Sequence, residues 1–183
     1  ARTNAEKPFL LWLSWGPPHN PNETSPPKYQ AMYPPEKIQL RGNVPPESQA
    51  RARKDLAGYY AHCTALDDCI GDLLATLKST SLAENTIIVF TSDHGDMLLS
   101  HALQRKQKPY EESARVPMLF RLPASLGITP RRVEGTINTA DVMPTLLGLC
   151  GVAIPKIVEG LDCTDHLPRR KGRSRRPGLV PCA

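Results

Sequence analysis

Asp93, His94 and Asp96 stand together directly after the run Ile87-Ile88-Val89-Phe90, in the segment Thr91-Ser92-Asp93-His94-Gly95-Asp96. Two carboxylates and an imidazole so close in the chain make a donor set for a hard-to-borderline cation. The run before them is β-branched and aromatic and follows the turn-prone Glu84-Asn85, so it predicts a fully buried strand. In open α/β sheets, ligands sit beyond the carboxyl ends of strands, and these residues fall there. Thr91 and Ser92 let the backbone leave the sheet, and Gly95 permits a sharp turn. The same stretch also fits a strand end closing in a solvated polar loop.

A second apolar run, Phe9-Leu10-Leu11-Trp12-Leu13, predicts another buried strand and ends at Gly16-Pro17-Pro18-His19-Asn20-Pro21. Prolines on both sides of His19 restrict the backbone and hold its imidazole on a stiff loop. By itself a loop histidine is an ordinary polar surface residue. Asn22-Glu23-Thr24 is a glycosylation sequon, which matters only in a protein exported from a eukaryotic cell.

The elements that must position these residues alternate between helix and strand. From Asn22 to Pro46 the chain is rich in proline, with Tyr29, Met32, Tyr33, Ile38 and Leu40 interspersed. This predicts an extended loop packed over the domain, with a polyproline II ligand as the other reading. From Glu47 to about Ser79, Leu56, Tyr60, Cys63, Leu66, Ile70, Leu73 and Leu77 recur at helical spacing, as one stripe facing a sheet. Asp67 and Asp68 in that helix point about 100° apart and are no acid/base pair by spacing. Met97 to Lys108 is irregular or briefly helical and carries His101, Arg105, Lys106 and Lys108. Val116 to Arg121 predicts a third strand near an edge, and a helix opened at Asp141 closes at Gly151. A long helix feeding a strand is half of a βαβ unit, so the class is α/β.

Composition agrees with a single domain. The chain has 183 residues, 40% hydrophobic and 22% charged. Nineteen prolines favour long ordered loops and argue against an all-helical or coiled-coil architecture. No apolar run approaches the ~20 residues of a membrane span, and no signal pattern opens the chain. Arg169, Arg170, Lys171, Arg173, Arg175 and Arg176 more than account for the formal charge of +5, so the basicity belongs to a tail. A disordered, solvated end is the expectation, and no nucleic-acid partner is expected. The five cysteines show neither C-x-x-C nor zinc-finger spacing, and an odd number cannot all pair internally.

Thr91 to Met97, then Ser100-His101, then Lys106 four residues before Tyr110-Glu111-Glu112-Ser113, then Arg115-Val116-Pro117, closely resembles the sulfatases of the alkaline-phosphatase superfamily. Pro8 to Leu11 leading to Pro18-His19-Asn20-Pro21 is similar to the same family. So are the helix with Tyr59-Tyr60 and Asp67-Asp68-Cys69-Ile70-Gly71, and the segment Asp141 to Leu147. The resemblance covers Lys7 to Asp162. It implies an alkaline-phosphatase-like α/β fold, a largely parallel sheet flanked by helices, truncated on the N-terminal side. A partial sulfatase domain over residues 1–162 and a basic tail over 163–183 follow from it.

The resemblance also implies roles. Asp93 and His94 would ligate one divalent cation, usually Ca²⁺. Lys106 would bind a sulfate oxygen, and His19 would contact the sulfate and protonate the leaving alcohol. A metal and a lysine offset charge on a transferring sulfuryl group, and an imidazole can donate the proton. His101 and Arg115 would play supporting parts.

The family's nucleophile is a formylglycine made in a C-x-P-x-R type motif, and no cysteine here opens that pattern. Cys63 leads into Thr64-Ala65-Leu66-Asp67, and Cys69 into Ile70-Gly71-Asp72-Leu73. The paired aspartates of the family's amino terminus are missing as well. Leu99 and Ala102 stand where the family commonly has glycine, and the arginine-rich tail replaces its carboxyl-terminal subdomain. The expectation is therefore part of an enzyme that hydrolyses a sulfated small molecule or glycan, inactive without the missing N-terminal half of its domain. A phosphodiesterase or phosphonate hydrolase, or an inactive remnant acting as an interaction protein, are the alternatives. Lys106, four residues before Tyr110, favours sulfate over the first of these. The compartment stays open, although family members are often exported, periplasmic or lysosomal.

Overall fold

The computed structural model describes residues 7–166, and the arginines from Arg169 onward lie outside the described residues. These residues fall into two compact units, one running to Leu73 with Asp96–Lys108 added, the other made of Leu74–Gly95 and the chain from Pro109.

The first unit is organised on helix α2, Gln49–Ser79, whose last residues belong to the second. A 3-10 turn, Pro46–Ser48, leads into it with proline at its first position, where the ring's fixed φ suits a helix start. Ala52, Leu56, Ala57, Ala61 and His62 are buried, a face of mostly small side chains that lets neighbouring backbone come close. Two loops cover it. Ile38 and Leu98 pack on Leu56 and Ala57, while Val44 and Leu99 pack on Ala52, with Leu40 against both groups. Burying one such aliphatic side chain is worth about 1.5–3 kcal/mol. The predicted stripe is only partly the buried face: Leu56 is buried, but Tyr60 and Cys63 are exposed and Leu66, Ile70, Leu73 and Leu77 are half-buried. The loops reach α2 on its alanine side, a side that a count of large apolar residues does not find.

The proline-rich stretch folds as short turns, including α1, Pro27–Gln30. Tyr29 is buried, and its hydroxyl donates to Asp68 Oδ2 at 2.6 Å; the Tyr33 and Thr64 hydroxyls are 2.7 Å apart. Asp68 thus anchors a loop. Asn22 is buried and its carbonyl lies against Gly58, so the sequon is closed to modification in the folded chain.

The second covering loop is unusual in its backbone. Leu98, Leu99, His101, Ala102, Arg105 and Gln107 all have positive φ, between 43° and 66°. That region costs an L-residue roughly 1–2 kcal/mol. The burial of Met97, Leu98 and Leu99 offsets it, together with bonds from Met97 N–H to the Arg105 carbonyl at 2.8 Å and from His101 N–H to the Asn43 carbonyl at 2.8 Å. Leu99 and Ala102, the two positions where glycine was expected, adopt φ of 66° and 57°, which glycine enters freely.

Two expectations for strands are corrected. Phe9–Leu13 forms no strand, and its side chains are exposed, Leu10 at 87% and Trp12 at 74%. A strand needs a hydrogen-bonded neighbour, and a short apolar run does not say whether one exists. In the second unit, β1 (Ile88–Thr91) pairs antiparallel with β2 (Met118–Arg121), Val89 opposite Phe120 and Phe90 opposite Leu119. This pair is the sheet among the described residues, where a largely parallel one was expected. Phe90 and Leu119 are exposed, so β1 is not the fully buried strand its composition suggests.

Helix α3, Glu111–Ala114, precedes β2, and α4, Thr139–Cys150, follows it. The cap of α4 is Asn138, whose N–H donates to Asp141 Oδ2 at 2.9 Å, and Gly151 closes it at φ 69°. The last described element is a 3-10 turn, Cys163–His166, with Cys163 and Thr164 buried. No helix among the described residues is long and apolar enough to cross a membrane.

Ala102→Gly relieves a left-handed φ at an exposed site, so it is expected to add about 1 kcal/mol and raise the thermal midpoint by a few degrees. Leu99→Gly should lower the midpoint in the same melts, because the lost burial against Val44 and Ala52 outweighs the backbone relief.

Candidate active site

Asp93 and His94 come at the exit of β1. The Asp93 carboxylate is mostly exposed and accepts from the His94 N–H at 3.0 Å and the Ser92 hydroxyl at 3.3 Å. Burial acts to raise its pKa, but the neighbouring His94 imidazole and these hydrogen bonds outweigh it and hold the carboxyl below the usual value. His94 Nδ1 lies 2.8 Å from the Gly95 carbonyl, which can only accept, so the proton is on Nδ1. Nε2 then offers its lone pair 3.4 Å from Asp93 Oδ2. Two acceptors facing one another are made favourable by a shared cation or by a second proton on the ring. An imidazole whose other nitrogen is tied to a carbonyl is also how metal-bound histidines are held.

The donor set therefore fits part of a divalent-cation site. Among the described residues no group of three or more His, Cys, Asp or Glu side chains is arranged to complete one. Gly95 has a different reason than a sharp turn. Its N–H donates to the Ser113 carbonyl at 2.8 Å, and a Cβ there would strike the carbonyl of Glu112. Asp96 belongs to the first unit, where its Oδ1 accepts from the Leu98 N–H at 2.9 Å and opens the left-handed loop.

His19 and Lys106, both in the first unit, meet although they are 87 residues apart. His19 Nδ1 lies 3.0 Å from the Asn20 carbonyl, which fixes its proton on that nitrogen. Nε2 then accepts from the Lys106 ammonium at 3.1 Å. An ammonium and an imidazole nitrogen this close can together offer an anion a charge and a proton partner.

Other marked residues are structural. His101 Nε2 lies 3.1 Å from Asn43 Nδ2 and ties one loop to the other, and Arg115 pairs with Glu111 at 3.5 Å on an exposed helical turn. The sequence reading passes over His62, a buried histidine on α2 whose Nε2 lies 3.3 Å from the Pro21 carbonyl. Its signal was its spacing, four residues after Gly58 and next to the small residue Ala61.

A model of the Sulfatase family matches residues 1–152. The chain is 42% identical over 180 residues to the ulvan-active sulfatase of Formosa agariphila, covering 96% of this chain and 35% of that protein. A solved structure from work on glycosaminoglycan metabolism by Bacteroides thetaiotaomicron aligns with a TM-score of 0.79 and 32% identity, over 86% of this chain and 33% of that one. The phosphonate monoester hydrolase of Silicibacter pomeroyi aligns with a TM-score of 0.61 and 29% identity, over 76% of this chain and 27% of that one. The chain thus spans about a third of the length of the relatives it matches. Their fold is the alkaline-phosphatase-like α/β fold.

Replacing His94 by Leu should raise the Asp93 carboxyl titration toward its ordinary value, read from the side-chain ¹³C shift. In the parent, the stability from this lowered carboxyl is present above the ordinary Asp value and lost as pH falls through the lowered one. The variant should lack the share that the imidazole supplies and keep the share from the residue-94 N–H and the Ser92 hydroxyl.

Proposed function

Since the chain belongs to the sulfatase family, we propose that it carries the anion-binding pair and part of the cation site of an enzyme that hydrolyses a sulfate ester. The observation that carries this reading is the 3.1 Å approach of Lys106 Nζ to His19 Nε2. Lys106 holds a sulfate oxygen through a charge-assisted hydrogen bond. An anion set against both groups favours the imidazolium, which places on Nε2 the proton that a departing alkoxide needs.

Sulfatases typically use a divalent cation. In this reading it is Ca²⁺, held in part by Asp93 and His94 and supplying positive charge against the oxygens of the sulfuryl group. The family's nucleophile is a formylglycine, and no C-x-P-x-R motif for it occurs in this sequence, so this reading gives the chain the sulfate-binding and cation-binding groups and not the nucleophile. A sulfated glycan is the favoured substrate class, supported by the ulvan-active relative. The likeness to a phosphonate monoester hydrolase supports a second reading, in which the same pair binds a phosphonate.

Titration calorimetry with inorganic sulfate tests the pair. The parent chain should bind sulfate, and Lys106→Ala and His19→Ala should each weaken it about tenfold or more, as for a lost hydrogen bond to a charged group. Asp93→Asn should weaken Ca²⁺ binding and leave sulfate binding in place. Sulfate affinity unchanged in both Lys106→Ala and His19→Ala would remove the reading, and tighter binding of methylphosphonate than of sulfate would favour the second.

A further inference from the structure

We propose that His62 is a positioning residue that aims His19 at its anion. This rests on the reading of His19 and Lys106 as the sulfate-contacting pair. His62 is 4% exposed, in the middle of α2 and remote from any chemistry assigned above. Its Nε2 lies 3.3 Å from the Pro21 carbonyl and 3.4 Å from Thr24 Oγ1. The carbonyl can only accept, and the Thr24 hydroxyl already donates to that same oxygen at 2.8 Å. Nε2–H is therefore the donor toward both.

One turn earlier on the same helix, Gly58 receives the Asn22 carbonyl so closely that a Cβ would strike it. Residues Pro21–Thr24 are thus held against α2 at two points a turn apart: a bare backbone at Gly58 and a hydrogen-bond donor at His62.

His19 lies two residues before Pro21, and the carbonyl that holds its Nδ1 is that of Asn20, bonded directly to the Pro21 nitrogen. Moving Pro21 moves that carbonyl, the carbonyl turns the ring, and the ring changes the 3.1 Å approach of Nε2 to Lys106. Prolines at 17, 18 and 21 leave little backbone freedom to absorb the displacement. A space-filling residue would act through volume alone, whereas here the donor is the acting group.

The test uses the full chain with ¹⁵N-labelled histidine, reading the ring nitrogens of His19 and the affinity for inorganic sulfate. His62→Phe keeps bulk without a donor, and His62→Gln keeps an N–H near the position of Nε2. In a His62→Phe protein that retains its circular dichroism, the distinct Nδ1–H and Nε2 signals of His19 should average, and sulfate affinity should fall about tenfold. His62→Gln should restore both. A folded His62→Phe protein with His19 signals and sulfate affinity as in the parent overturns the inference. If that variant does not fold, His62→Met, whose flexible side chain fills the site without a donor, carries the same test, and parent-like His19 signals and sulfate affinity there overturn it. Sulfate affinity unaffected by Lys106→Ala and His19→Ala would instead defeat the sulfate reading, a result distinct from an unresponsive His19.

Discussion

One side of a single helix orders most of the first unit. Ala52, Leu56, Ala57, Ala61 and His62 on α2 receive the irregular chain that precedes it, which carries His19, and the Met97–Lys108 loop, which carries Lys106. Irregular backbone cannot satisfy itself as a helix does, so each loop must be held by what it buries and by specific hydrogen bonds. Alanine and glycine on the helix let the backbones approach closely, while Tyr29, Ile38, Val44 and Leu98 supply the apolar contact. The helix contributes no proposed catalytic side chain, yet the approach of His19 to Lys106 depends on it.

The loop from Met97 to Lys108 shows the cost of that arrangement. Non-glycine residues occupy left-handed backbone at six positions, and such strain persists only where surroundings over-determine it. Met97 is fully buried, Leu98 and Leu99 are nearly so, and Arg41 reaches Ser100 Oγ at 3.2 Å. Lys106 sits between two left-handed residues, Arg105 and Gln107. Its direction is therefore set by backbone that is locally unfavourable and held from outside, and small changes in the packing of Leu98 or Leu99 bear on the charge at the site.

What could be read from the sequence divides along local and non-local lines. The long helix, the helix closed at Gly151 and the place of Asp93 and His94 at the exit of a strand are local patterns and were legible. The meeting of His19 and Lys106 was accessible only through family resemblance, because no periodicity links residues so far apart. Phe9–Leu13 misleads because strand formation is decided by a neighbour, which composition does not name. The left-handed loop was hidden because leucine, alanine and arginine are not residues that announce positive φ. His62 was hidden for the opposite reason: an isolated histidine in a helix has no spacing partner until the loop above it is in place.

The two donor pairs differ in what holds them. Asp93 and His94 are adjacent, and their geometry comes from Ser92, the Gly95 carbonyl and the strand end, all within a few residues. Their approach survives as long as that turn does. His19 and Lys106 are brought together by two loops packed on α2, so their 3.1 Å separation reports the whole core of the first unit. Local openings are graded by the contacts they break, and loops with strained backbone open at lower cost than a tight hydrogen-bonded turn. Mild destabilisation of the α2 face therefore loosens the His19–Lys106 pair before the Asp93–His94 pair, and on the proposed reading sulfate affinity falls while the Asp93–His94 turn still stands.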